Sequence, residues 1–414
     1  MIRCFAAIIL NISICFMSDA QEVIESIEIK GIKRTEEQYL RQFIYSRPGE
    51  TYDSLKVEND RQRLANLPTI GEVSVTYILE TGAYRLTFTC SELLSVEPIF
   101  GLGKSYKNFW CRVGVQDSNI SGKGHELIAY YQYYDRHSAV LKYRLNRIHG
   151  TPWSFTSSLT KWSTVEPITI DGSDGTYDYD NLNLGISSIR HFSFQQSLEV
   201  GVSGLDEKYM ERDDNGNKKA LMFRRAGLQA KAAFTSNYLN YNLFYIKGWF
   251  NQLNVQTIDR FASTERFDLF FNDLKFFSKP YKSANIAVRL RIGLSTNVNR
   301  PFAPFVLDNF VNIRGVGNRV DRGTGSVVLN AEFRQTIFDG NKIAGQGVVF
   351  TDLGTWRLPG GNFKDFTMSK NMKSFSGAGL RLIYKHGFDT VLRIDYGHDF
   401  RESGDFVFGI GQYF

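Results

Sequence analysis

The sequence predicts a mostly β protein: a transmembrane antiparallel β-barrel of about sixteen strands, preceded by one small α+β domain. Three observations carry that expectation. From about Ser95 onward, segments of alternating polarity repeat, separated by Gly, Asn and Asp turns. In segment after segment the charged residues fall on one parity, with no helical pattern to cover the other face. After residue 20 no run approaches the ~18 apolar residues of a spanning helix. In lipid the backbone must be satisfied by a closed ring, so apolar side chains face outward and charged ones face the lumen. Composition agrees, with 36 Gly, 33 Phe and 21 Tyr against 9 Pro. The 49 basic and 43 acidic residues are spread along the chain, so nucleic-acid binding is not expected.

The chain opens with Met1-Ile2-Arg3, an apolar run from Cys4 to Met17, and Ser18-Asp19-Ala20. A basic start, a short apolar core and small residues before the cut predict a secretory signal peptide over residues 1–20. The run is too short to span a bilayer.

Residues 22–95 read as a separate domain. Val23 to Gly31 is a predicted strand. Thr35-Glu36-Glu37-Gln38 has the form of a capping box, followed by Tyr39, Leu40, Phe43 and Ile44 at helical spacing. Arg47-Pro48-Gly49 stops that helix. A second helix is expected from about Asp53 to Asn66, carrying Leu55, Arg61 and Leu64. Two strands follow, each with one apolar face for the two helices: Val73, Val75, Tyr77 and Leu79 on the first strand, and Tyr84, Leu86, Phe88 and Cys90 on the second. Cys90 and Cys111 match no metal spacing; they either form one disulfide or stand as two small apolar residues.

Residues 96–414 supply the barrel. Leu141, Tyr143 and Leu145 alternate with Lys142 and Arg144; Leu380, Leu382 and Tyr384 with Arg381 and Lys385; Leu392, Ile394 and Tyr396 with Arg393 and Asp395. Asp171 to Asp180 and Glu211 to Ala220 read as outer loops. The first resembles a calcium loop in composition, but its spacing fits no defined site. Residues 297–322 show neither periodicity, yet Phe302, Phe305, Phe310, Val311 and Ile313 want burial, so this connection is expected to fold inward. At its centre stands Ile313-Arg314-Gly315-Val316, with Gly317 giving further freedom to turn.

The domain order strand-helix-helix-strand-strand, with turns at Gly31, Thr35 and Gly49, resembles one POTRA module. The barrel motifs resemble those of the BamA/TamA-type outer-membrane assembly and translocation superfamily: Asp117-Ser118-Asn119 with Gly122-Lys123-Gly124, Ile313-Arg314-Gly315-Val316, Gly323-Thr324-Gly325 leading to Glu332, Val349 to Gly354, Gly377 to Arg381 and Arg393 to Gly397. The resemblance implies that Arg314 reaches into the lumen to pair with Glu332 and Asp352. Arg suits that task because its planar fork serves two carboxylates and keeps its charge. In a wet lumen such a pair is worth no more than ~1–2 kcal/mol. Val316 stands where the family usually has an aromatic, which implies a looser seat. A terminal aromatic, Phe414, on an alternating strand resembles an outer-membrane recognition signal.

The resemblance further implies a barrel in the bacterial outer membrane with its POTRA domain in the periplasm. Its partners would be outer-membrane lipid, client polypeptides and accessory periplasmic proteins. Clients would dock on the POTRA module by strand addition. They would then pass via the lumen or the seam of first and last strands, which Pro98, Gly409 and Gly411 weaken. The alternatives are a two-partner-type secretion pore or a passive channel. No catalytic residue, metal site or cofactor is expected, since the six histidines fit no triad or ligand spacing.

Overall fold

The computed structural model describes residues 22–414, apart from positions 81, 106–107, 135, 171–172, 213–217, 262–265, 298–303, 308–311, 317–320, 387–390 and 400–401. The predicted signal peptide and Gly317 lie outside the described residues.

The N-terminal unit comprises β1 (Val23–Lys30), α1 (Glu37–Arg41), α2 (Ser54–Ala65), β2 (Ile70–Glu80) and β3 (Ala83–Glu92). β3 is the central strand, parallel to β1 and antiparallel to β2. Its inward Leu86, Phe88 and Cys90 share one core with Leu40, Phe43 and Ile44 and with Val57 and Leu64 of α2. α2 starts and stops as the sequence expects. The Asp53 carboxylate accepts from the amides of Leu55 (2.8 Å) and Lys56 (3.2 Å), satisfying donors that the first turn leaves open.

Three expectations for this unit fail. The capping box at Thr35 does not form: Glu36 is the N-cap and makes no side-chain cap bond. Thr35 gives its amide (2.7 Å) and its hydroxyl to Glu92 instead, because a carboxylate offers a stronger acceptor than a local neutral cap. Leu55 is exposed, and Val57 takes the buried position on α2. Tyr77 and Leu79 are also exposed, since β2 runs past the helices after Val75.

Sixteen long strands form a closed barrel. They are β4 (Val96–Ser105), β5 (Asn108–Asp117), β6 (Glu126–Tyr134), β7 (His137–Leu145), β8 (Trp153–Ile170), β9 (Ser173–His191), β10 (Gln196–Arg212) and β11 (Lys218–Asn237). A three-residue β12 (Asn240–Asn242) precedes β13 (Tyr245–Arg260), β14 (Arg266–Ser278) and β15 (Ala284–Ser295). The long connection holds its own pair, β16 (Phe305–Leu307) and β17 (Asp321–Gly323). The ring then continues through β18 (Gly325–Asp339), β19 (Ile343–Arg357), β20 (Met372–Tyr384), β21 (Val391–Asp399) and β22 (Glu402–Ile410), which returns to β4. No helix among the described residues is long and apolar enough to cross a membrane.

Side-chain parity is as the alternation predicts. Leu141, Leu380, Leu382, Leu392 and Ile394 are exposed on the outer wall, while Arg289, Arg381, Arg393 and Asp395 are buried inside. The described residues of the two predicted loops, 173–180, 211–212 and 218–220, are strand instead. The β8–β9 ladder continues to Ile170 opposite Ser173, and β10 pairs with β11 up to Arg212 opposite Lys218. The Asp-rich composition read as turn, but Tyr177 and Tyr179 bury against Tyr209, and Asp178 and Asp180 pair with Arg136. Cys90 lies in the N-terminal core and Cys111 on β5; both are free thiols. Phe414 does not continue the last strand. β22 ends at Ile410, Gly411 takes a φ of +84°, and the following residues turn inward.

Candidate functional site

The inward connection delivers Ile313 to Val316 to the inner wall of β18 to β21, and it does so with an apolar anchor. Ile313 and Val316 are buried with Val328, Trp356 and Phe375. Val316, where the resemblance implied an aromatic, is itself part of this buried cluster. Between these anchors Gly315 turns with a φ of +89°, and its backbone presses on Gly397 of β21. A Cβ on Gly315 would stand 2.3 Å from the Gly397 carbonyl oxygen, so glycine is needed on both counts.

That turn aims Arg314 at the carboxylates the sequence singles out. Its Nε donates to Asp352 at 2.8 Å, its Nη2 to the other oxygen of Asp352 at 2.9 Å, and its backbone amide to Asp352 at 2.9 Å. Nη1 donates to Glu332. Glu332 comes from β18 and Asp352 from β19, adjacent strands whose register sets Asn330 opposite Asp352. The guanidinium plane lies between two rings, with its carbon 3.6 Å from the centre of Phe350 and 4.1 Å from that of Tyr413. Such stacking suits a planar cation.

The site is larger than the triad the sequence marks. Asp395 of β21 lies 3.8 Å from Arg314 and accepts from Arg381 at 2.7 Å. Arg334 donates to Glu332 at 2.7 Å, and Asn330 donates to Asp352 at 2.8 Å. Parity could have found Arg381 and Asp395, because both sit on the charged face of their strands. Nothing in the local sequence marks Phe350 or Tyr413 as the rings that enclose the cation.

The expected wet lumen is also corrected here. The side chains of Arg314, Glu332 and Asp352 are all 0% exposed. A dry, fully bonded pair is weak evidence of net stability, but removing one partner strands the others and costs about 3–5 kcal/mol. The node therefore ties the connection to the barrel wall through hydrogen bonds and ion pairs. It fixes the connection against four successive strands.

The seam between β22 and β4 has a different character. Its contact is the slightest of any neighbouring pair among the sixteen long strands. Pro98 is the third residue of β4 and faces outward, opposite Val115 of β5. Gly409 has a further role: a Cβ there would lie 2.6 Å from Nε of Arg393, so the glycine makes room for a lumen arginine. Gly411 breaks the strand. Beyond it Tyr413 lies below Arg314 and Arg393, and Phe414 accepts through its carbonyl from Arg334 at 3.3 Å.

The Asp117-Ser118-Asn119 and Gly122-Lys123-Gly124 turn joins the two domains. Arg34 donates to Asp117 at 2.7 Å and to Ser95 at 2.8 Å. Asn119 gives its amide to Thr35 at 2.9 Å and accepts from the Gly124 backbone at 2.7 Å. The Glu36 amide reaches the Gly122 carbonyl at 2.8 Å. Glu92 accepts the amides of Lys33, Arg34 and Thr35 at 2.7, 3.0 and 2.7 Å. Burial raises the Glu92 pKa, but these donors and the Thr35 hydroxyl outweigh it and leave the carboxyl below its ordinary 4.5. Further contacts join Phe43 to Phe194, Asn66 to Tyr241 and Leu94 to His386, so the N-terminal unit lies across that end of the barrel.

Residues 22–92 match the family model of POTRA, described as a surface antigen variable number repeat. The whole chain is similar to BamA from Haemophilus ducreyi lacking POTRA domains 1–3, at 12% identity and a TM-score of 0.53, over 94% of this chain and 83% of that one. It is also similar to CdiB from Escherichia coli at 12% identity and a TM-score of 0.60, over 95% and 77% of the two chains. For CdiB from Acinetobacter baumannii the values are 14% and 0.55, over 94% and 73%. These likenesses show the fold. No curated protein matches the sequence.

Proposed function

We propose that this chain, a POTRA domain joined to a sixteen-stranded barrel of the fold shared by BamA and CdiB, assists the insertion, assembly or translocation of client polypeptides at a bacterial outer membrane. The reading is non-enzymatic, and the POTRA domain faces the periplasm. The observation that carries it is the contrast within one ring. β18 to β21 are latched to the inward connection by the Arg314 node, while β22 and β4 meet with the least contact. A seam that opens at low cost exposes strand edges, and such edges template pairing by another chain.

The POTRA sheet supports the same reading. β1 and β2 are its outer strands, and the far half of β2 carries exposed Tyr77, Ile78 and Leu79. An extended client can add there as a fourth strand, with these side chains fixing register. β3 is internal and offers no edge. The partners are thus client polypeptides and outer-membrane lipid, with accessory periplasmic proteins where a single POTRA domain does not suffice. The second reading is a secretion barrel for one dedicated protein, favoured by the likeness in fold to CdiB.

A photo-crosslinker at Thr76 or Ile78, in cells, tests the docking step. The proposal expects adducts with several unfolded membrane-barrel polypeptides. A single secreted protein as the adduct would select the second reading, and no polypeptide adduct would overturn both.

A further inference from the structure

The outer wall of β7 to β10 carries two recesses that neither client handling nor the latch uses. Register places them on one face, one above the other. Lower down, an apolar groove of about 480 Å³ is lined by Leu145, Phe155, Ile186, Val200 and Val202. It exists because Ser157 lies opposite Ile186, and Ser188 opposite Val200, so small side chains sit between bulky neighbours. Above it, toward the β8–β9 hairpin, a polar recess of about 630 Å³ is lined by Arg136, Lys161, Lys208 and Arg212 together with Asp178, Asp180 and Asp206.

The carboxylates in the upper recess are already engaged. Asp178 pairs with Arg136 and Arg212, Asp180 with Arg136 at 3.0 Å, and Asp206 with Arg224 at 2.8 Å. They hold the arginines in place. Lys208 is only loosely tied, 4.0 Å from Asp206, and Lys161 is exposed on β8, with β9 between the two. Lys161 lies opposite Leu182, which lies opposite Asp206, and Lys208 is the next outward residue beyond. Cations outnumber carboxylates around the recess, so it favours an anion. From the Ile186 row to the Leu182 row is four residues, about 13 Å along a strand. That is the reach of an acyl chain below its headgroup.

We infer that this wall is a binding site for a phosphorylated, acylated glycolipid of the outer leaflet. Its phosphate meets Lys161 and Lys208, and one acyl chain lies in the groove below. The inference rests on the outer-membrane placement proposed above, but not on client assembly. Phosphate suits two ammonium groups held beside a fixed arginine cluster, and the membrane surface adds to the attraction.

Native mass spectrometry of the full chain in non-ionic detergent, titrated with bisphosphorylated lipid A, tests it. Retention is expected to fall about tenfold or more in K161E/K208E. The milder K161Q/K208Q, and Ser188→Trp, which fills the groove, should also bind less, with thermal unfolding unchanged. Inorganic phosphate should not compete. Equal binding of a phosphate-free glycolipid, equal binding by the charge-reversed variant, or full competition by inorganic phosphate would each overturn the site. Client insertion assayed on the unsubstituted chain separates the two readings: a chain that binds the lipid but inserts no client defeats only the assembly reading.

Discussion

At the residue scale, Arg314 is a buried cation whose value lies in what its removal leaves behind. Arg314→Ala takes the guanidinium from buried Asp352, which keeps Asn330, while Glu332 keeps Arg334, and is expected to destabilise the latch by about 3–5 kcal/mol. Arg314→Lys keeps the charge but loses the bidentate fork and the ring stacking, so it should rescue little. Protease nicking within residues 297–322, compared between variants, reads the effect directly; unchanged nicking would contradict the assignment. The residues of the triad were legible because Ile313-Arg314-Gly315-Val316 stands in an ordered set of motifs resembling those of a known superfamily, and Glu332 falls on the charged parity of its strand. Its dryness was not legible, because it depends on Phe350 and Tyr413 arriving from elsewhere in the chain. A second residue-scale effect concerns Glu92. Its pKa is lowered on folding, so its contribution to the domain joint is fully present above pH 4.5 and is lost as pH falls through the folded value. Glu92→Gln should therefore loosen the joint at neutral pH, with the difference from wild type vanishing under more acidic conditions. Crosslinking between the domains across a pH series checks this; a constant difference would contradict it.

At the element scale, the inward connection is held by apolar anchors and a close backbone approach as much as by charge. Gly315→Ala introduces a Cβ 2.3 Å from the Gly397 carbonyl oxygen at a φ of +89°. It should release the connection about as fully as Arg314→Ala does, although every charge remains. Equal nicking kinetics for Gly315→Ala and wild type would show that the turn tolerates the strain. The strands themselves were largely readable, because period-two alternation with one charged face survives in a barrel wall. The failures share a physical cause. The Asp-rich residues 177–180 look like a turn until Tyr209, Arg136 and Arg212 pack and pair with them. Thr35 looks like a cap until Glu92, distant in sequence, offers a better acceptor. Local propensity loses wherever a non-local partner is stronger.

At the scale of the whole molecule, the strands tied to the inward connection, β18 to β21, lie directly beside the weakest junction of the ring, β22 with β4, and a POTRA domain lies across one end. On the proposed route, opening occurs at that junction, between the tied strands and the joint around Asn119. The direct test joins those two strands by an engineered disulfide, in a chain whose free thiols Cys90 and Cys111 have been replaced by alanine. The protein is reconstituted in vesicles with an unfolded outer-membrane client, and insertion is followed before and after reduction. Arrest of insertion in the oxidised protein, restored by reductant, is the predicted result; insertion at the same rate in both states would contradict the proposed route.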